Sequence, residues 1–381
     1  VSPATHVSSA VLAGFGGAAD TLAMQLVFLA FVLAYLVFVP LLAYRLVPDM
    51  RVAAVAAFAG FLFLPVNLNG FKFLYFPFSM SAFLVPLLLY LLVRHATAGA
   101  AATRPTEWWS PAAQFATRPA VLFVLVAAGM VLAHPMAAVD ALLLCGGTVL
   151  AKLAFERRWN TADEPGLRPI SGITAALAVA VLAWSSQFAA FYDAATDLGL
   201  SVVGFATGRA GALGAISQRA GSANDVGAGV GEVFVKLFLV DAAFLAVASG
   251  LVAALVAVRF GVLDRDFAER LGLWDPEGES LCLYLGTATM LFVPYAALHL
   301  VGAISEVNYF FRHLGFLLIP GTVLGAIGLT SLAHVLTVHR SLATVRRVGA
   351  VLAAAVLVLS LATVFPSPFV YLPSNHVTEQ Q

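Results

Sequence analysis

The sequence predicts an all-α, polytopic transmembrane bundle of about ten spans, with both termini on the outer side of the membrane. Three observations predict it. Hydrophobic residues make up 61% of the 381-residue chain, charged residues only 10%, and the mean hydropathy is +0.95. Soluble domains carry about 25% charged residues, so an ordinary soluble enzyme and a disordered chain are excluded. Apolar runs recur along the chain, and a spanning helix needs about 20 such residues. Lys and Arg, finally, are unevenly placed between the loops. Zero net charge with no basic stripe excludes a nucleic-acid binder.

Charges, prolines and glycine clusters mark where each run stops. In order, the runs are Thr21–Tyr44, Val52–Val66, Met80–Val93, Ala120–Ala133, Met136–Leu153, Ile170–Phe191, Val233–Val258, Leu281–Ile304, Leu314–Val338 and Val348–Phe365. His134-Pro135 divides the fourth from the fifth, as a tight hairpin or as a break in one helix. The organisation expected is residues 1–20 as the end of an outer loop with a short amphipathic helix, 21–366 as the helical domain, and 367–381 as the start of an outer C-terminal segment. The first residues lack a basic stretch, so they are not read as a signal peptide. Cys145 and Cys282 lie in or beside apolar runs, which argues against a disulfide framework or a zinc site.

With the N-terminus outside, fifteen of the twenty basic residues, from Arg45 to Arg347, fall in inner loops. Lys72, Arg209, Arg219, Lys236 and Arg312 fall outside. The reverse orientation inverts the bias, and losing one span scrambles it. The long outer segment Tyr192–Glu232 reads as an amphipathic or re-entrant stretch followed by a turn at Gly221–Asp225. Asn67–Ser79 is a second outer segment with interfacial aromatics, and Trp108, Trp109 and Trp159 are inner anchors.

Ionisable groups inside a bilayer are costly, so each asks for a reason. Lys236 is read as snorkelling outward, while Asp241 lies deeper in the same span. Glu306, Asn308, Tyr309, Arg312 and His313 crowd a short outer loop. Arg312 is the best anion-binding candidate there, because a guanidinium offers a planar fork of donors to phosphate oxygens. Pairing with Glu306 or contact with lipid headgroups is the alternative. His134 and His6 lie outside at the edges of apolar segments, and His134 is followed by Asp140 at the start of the next run. A structural role for His134-Pro135 is favoured over sugar or phosphate binding, since proline is ordinary at a helix start. Asp264-Arg265-Asp266 has the spacing of a divalent-cation pair but reads as a solvated inner loop, and Asp193 with Asp197 as helix capping. No Walker loop, G-x-S-x-G, H-E-x-x-H or dinucleotide fingerprint occurs.

Four stretches carry a family resemblance: Ser2–Gly16 (SPATHVSSAVLAGFG), Val131–Ala141 (VLAHPMAAVDA), Asn308–Leu332 (NYFFRHLGFLLIPGTVLGAIGLTSL) and Pro368–Glu379 (PFVYLPSNHVTE). In their order and setting the chain resembles the integral-membrane glycosyltransferases of fold class C, which include the dolichyl-phosphate-mannose protein mannosyltransferases and the oligosaccharyltransferases, in an archaeal form. The resemblance implies transfer of a sugar from a polyprenyl- or dolichyl-phosphate-linked donor to a glycan or protein acceptor at the outer face of the cell membrane. It implies substrate contacts from Arg312, His134, His6, Glu306 and Lys72. It also implies a carboxylate serving as base or as ligand of a divalent cation, magnesium or manganese. That acid is expected upstream of Val1, with the chain as a fragment of a longer enzyme. No metal ligand is assigned within the chain. A transporter, a lipid-linked-glycan flippase or polymerase, and a non-catalytic membrane scaffold are the competing readings.

Overall fold

The computed structural model describes residues 20–67, 77–98, 117–159, 167–189, 239–273, 275–300 and 308–364, with a few short pieces elsewhere. Among the described residues the bundle is built from α1 (Asp20–Leu46), α2 (Met50–Asn67), α3 (Pro77–Phe83), α4 (Val85–Ala96), α5 (Arg118–Ala133), α6 (Pro135–Trp159), α7 (Ser171–Ser185), α8 (Leu239–Arg259), α9 (Arg265–Arg270), α10 (Pro276–Leu300), α11 (Asn308–His339) and α12 (Leu342–Val364). There is no strand among the described residues. Each predicted apolar run overlaps one of these helices, except that Met80–Val93 is broken at Leu84 between α3 and α4; Ile170–Phe191 outruns α7, which ends at Ser185, and residues 190–191, 233–238 and 301–304 of three runs lie outside the described residues. Among the described residues, five helical stretches are long and apolar enough to cross a membrane: Leu22–Leu46, Phe78–Ala96, Pro135–Arg157, Leu239–Arg259 and His313–Val338.

Surface composition points the same way. Along α1, Leu22, Leu26, Leu29, Leu33, Val37 and Leu41 recur at spacings of three and four and are all exposed. The opposite face buries Phe28, Tyr35, Val39 and Leu42. A helix apolar on both faces is stable only where its outer face meets hydrocarbon or protein. Most described residues of α12, including Val351, Leu352 and Val358, are likewise exposed.

α11 is the central helix. It packs against α8, α2 and α10, and Gly315 through Gly328 are all buried. In its most apolar 18 residues, within His313–Val338, 78% are buried, against 28% for the corresponding part of the peripheral Leu22–Leu46. Close approach to α8 depends on missing side chains. A Cβ on Gly321 would lie 2.7 Å from Leu245 Cδ2, and one on Gly325 would lie 2.7 Å from Phe244 Cδ1 and 3.1 Å from its carbonyl oxygen. Small residues one turn apart let two helices touch through their backbones, where dispersion contacts are densest.

Several hydroxyls inside the bundle are returned to their own helices. The hydroxyls of Thr148, Thr174, Thr289 and Thr322 each donate to the carbonyl four residues earlier, at 2.7 to 2.9 Å. This satisfies the hydroxyl without a partner helix. Helix ends follow local chemistry. The Thr117 side chain accepts from Ala120 N at the start of α5. Beyond α8 and α9 the chain turns through Gly261 (φ 70°) and Gly272 (φ 76°), the left-handed conformation that costs glycine least.

Helix direction alternates, so the bundle has two polar ends. At one, Arg45 donates to the Thr97 hydroxyl, Arg168 to the Ala98 carbonyl, and Lys152 pairs with Glu156. At the other lie the α5–α6 hairpin and the start of α11. His134 joins α5 to α6 in an extended conformation (φ −161°, ψ 111°), so a tight hairpin forms, not a broken single helix.

Candidate functional site

The hairpin end concentrates the buried chemistry. Asp140 sits in the second turn of α6 and is 0% exposed. His313 sits in the second turn of α11 and is buried as well. His313 Nδ1 lies 2.9 Å from Asp140 Oδ1. Neither Asp140 oxygen has a hydrogen-bond partner among the described residues, so the approach of His313 is a close contact without hydrogen-bond geometry. An ion removed from water loses several kcal/mol of solvation, and one short contact offsets only part of that.

An aromatic cage fixes the imidazole. The Tyr295 ring is 5.0 Å from the His313 ring at 65°, and the Phe292 ring is 6.2 Å away at 64°. Phe292 in turn packs edge-on against Tyr295 and is stacked on Phe316. Edge-to-face geometry places ring hydrogens on a neighbouring π-face, so these contacts orient as well as fill space. Tyr295 and Phe292 come from α10, so three helices meet at the pair.

His134 marks the mouth of the same end. Its ring meets Phe78 of α3 edge-on at 5.4 Å and 88°. Its N–H donates to Met130 O at 2.8 Å, and the Ser81 hydroxyl donates to the same carbonyl at 3.1 Å. Helical rise sets Asp140 about 9 Å along the axis from His134. The histidine therefore closes the hairpin, the role favoured from the sequence, while standing above the buried acid.

The remaining sequence-predicted residues distribute as follows. Arg312 lies in the α11 helix immediately before His313, and its side chain is outside the described set. His6, Lys72, Glu306, Lys236 and Asp197 lie outside the described residues altogether. Asp264 precedes α9 and Asp266 lies in its first turn, and both are exposed. No group of three or more metal-ligating side chains exists among the described residues. Cys145 and Cys282 are both free and buried. Asp241, in the first turn of α8, is 3% exposed, and neither carboxylate oxygen has a hydrogen-bond partner among the described residues.

Sequence reasoning named Asp140 and His313 separately and did not join them. It also left out Tyr295, Phe292 and His95. Two polar residues at the outer ends of apolar runs were the available signal, since both belong to the same side of the bundle. Pairing them needs the packing of α6 on α10 and of α10 on α11.

No protein-family profile, no curated protein and no solved structure matches the chain.

Proposed function

We propose that the chain is a membrane glycosyltransferase of the class-C type that moves a sugar from a polyprenyl-phosphate-linked donor to an acceptor at the outer face of the cell membrane. One observation carries this reading. Two of the four stretches that bear the resemblance, Val131–Ala141 and Asn308–Leu332, meet in a buried contact, Asp140 with His313. In this reading Arg312, one residue before His313 at the start of α11, binds the lipid phosphate. The helix N-terminus adds donors and positive potential for an anion. Stabilising a departing phosphate with fixed charges is the kind of preorganisation that contributes most to transfer rates. His134 lines the approach for sugar or acceptor. His6, Glu306 and Lys72 are further proposed substrate contacts on the same outer side.

The ten-span topology belongs to this proposal. It sets the Arg45 end in the cytosol and the His134 end outside. It is supported by the placement of Arg45, Arg51, Arg94, Arg118 and Arg259 at helix ends on the former side.

The test is direct. Purified full chain in proteoliposomes receives radiolabelled polyprenyl-phosphate-linked glucose, mannose or galactose with a sugar or peptide acceptor. Label moves to the acceptor if the reading holds, and Arg312→Ala abolishes the transfer while leaving membrane insertion intact. Normal turnover by that variant removes Arg312 from its role. A second reading, transport, is favoured by Asp241, because unpartnered acids inside spans mark ion pathways. Uptake of labelled solute without transfer to any acceptor would select it.

A further inference from the structure

We infer that Asp140 reads the sugar of the donor: its carboxylate accepts hydrogen bonds from two vicinal ring hydroxyls, one of them the hydroxyl on C3. This rests on the glycosyltransferase reading and adds to it a residue that selects which sugar is transferred.

Both carboxylate oxygens carry the argument. Asp140 is 0% exposed, and neither Oδ1 nor Oδ2 has a hydrogen-bond partner among the described residues. A buried carboxylate with two idle oxygens costs stability and returns little as a structural link. It is complete only when two donors arrive together. A basic side chain could bring them, but no described lysine or arginine pairs with Asp140, and His313 comes within 2.9 Å of Oδ1 without hydrogen-bond geometry. A metal ion would need further ligands, and no group of three or more metal-ligating side chains exists among the described residues. A ligand with two adjacent hydroxyls supplies both donors at once. A carboxylate only accepts, and its two oxygens are close enough to serve a gauche pair of ring hydroxyls.

The neighbours suit the same ligand. Tyr295 and Phe292 of α10 hold their rings 5.0 and 6.2 Å from the His313 imidazole. Aromatic walls with a few convergent polar groups are the usual lining of a small-molecule site. The walls take the C–H face of a sugar, and the polar groups fix its orientation. Half-buried His134 stands at the mouth past which the sugar enters. Arg312, the phosphate ligand of the parent reading, is next to His313 in α11. One donor is thus held at its phosphate from the start of α11 and at its ring from α6. Asp140 touches the ring and not the reacting atoms, so it is a specificity residue.

The choice of C3 follows from ring chemistry. Once the anomeric carbon is tied to phosphate, a hexopyranose keeps hydroxyls on C2, C3, C4 and C6. The vicinal pairs are C2 with C3 and C3 with C4. The C3 hydroxyl belongs to both pairs, and the C6 hydroxyl to neither.

The experiment measures kcat/KM for the full chain in proteoliposomes. The donors are whichever polyprenyl-phosphate-linked hexose the wild type uses best and its 3-deoxy and 6-deoxy analogues, each kept below KM. The wild type should lose about 10–100-fold on the 3-deoxy donor, through one hydrogen bond to a charged group, and should change little on the 6-deoxy donor. D140N keeps the shape but loses the charge and one acceptor, and should lower kcat/KM for the parent hexose by about 100-fold. D140L should use the parent and 3-deoxy donors equally, because the hydroxyl has no acceptor left to lose. A fall in D140N and D140L that is the same on both donors overturns the inference, since it places Asp140 in packing or on the reacting atoms. Wild-type use of the 3-deoxy donor as readily as the parent overturns it too, and leaves the glycosyltransferase reading intact. Absence of wild-type transfer from every donor overturns the parent reading and this inference with it. Should neither variant fold, the wild type decides the point: a larger penalty for 3-deoxy than for 6-deoxy supports the diol contact, and equal penalties oppose it.

Discussion

Two fully or almost fully buried histidines sit at opposite ends of the bundle, and they differ in what surrounds them. His95, in the last turn of α4, has both ring nitrogens engaged. Nε2 is 3.2 Å from the Pro169 carbonyl and Nδ1 is 2.7 Å from the Thr117 hydroxyl. A carbonyl only accepts, so Nε2 donates and Nδ1 accepts from Thr117. The ring thereby ties α4 to the starts of α5 and α7, beside the Arg168 backbone contact with Ala96 O at 2.8 Å. His313 instead lies 2.9 Å from a buried carboxylate, neither oxygen of which has a hydrogen-bond partner among the described residues. A buried polar group with every valence used is a structural fastener. One that leaves an acid open keeps chemistry in reserve, at a cost in stability.

Substitution can break that contrast. The largest effect is expected from the double variant D140L/H313L. Transfer should fall by about 10²–10⁴-fold, while the melting temperature in detergent holds or rises, because apolar residues replace a costly buried pair. A steep loss of stability would make the pair a fastener like His95.

Next comes His95→Ala, expected to destabilise by about 2–4 kcal/mol through two lost hydrogen bonds and a cavity. Transfer per folded molecule should stay near the wild-type level. Thermal unfolding followed by tryptophan fluorescence, with activity normalised to folded protein, checks both parts.

Gly325→Val addresses neither end but the seam joining α8 to α11. Its new side chain meets Phe244 and the Phe244 carbonyl, so a loss of about 1–3 kcal/mol is expected. An unchanged melting temperature would mean that the two helices are not in backbone contact there.

The smallest effect concerns pH at the Arg45 end. Burial, with Asp275 nearby, raises the Glu277 carboxyl above its ordinary range, and Arg45 pulls it partly back. A raised folded-state value gives stability that is complete below the unfolded pKa of about 4.3 and is lost as pH rises through the folded value. Glu277→Gln should therefore raise the melting temperature slightly at pH 7 and leave it unchanged near pH 4. A gain of equal size at both pH values would assign the effect to packing.

Much of the fold is legible in the sequence because apolar run length and charge placement are local signals. Thr21–Tyr44 and Leu314–Val338 are read within a few residues of α1 and the body of α11. The break at Leu84 escapes, since nothing in the run Met80–Val93 other than Pro86 interrupts its hydropathy. The site is legible only as parts. Asp140 and His313 are 173 residues apart, and their contact depends on two helix–helix interfaces with no signature in either stretch. His95 shows the opposite failure. Next to Arg94 at the end of a run it looks like one more inner-loop charge, and only packing reveals both of its partners.

The measurement that tests the contrast most directly sets D140N beside H95Q in one proteoliposome preparation. Hexose transfer from a polyprenyl-phosphate donor to a hydroxyl acceptor is followed and normalised to folded protein. The account predicts wild-type transfer in H95Q and a fall of about 100-fold or more in D140N. Equal transfer by the two variants would contradict it.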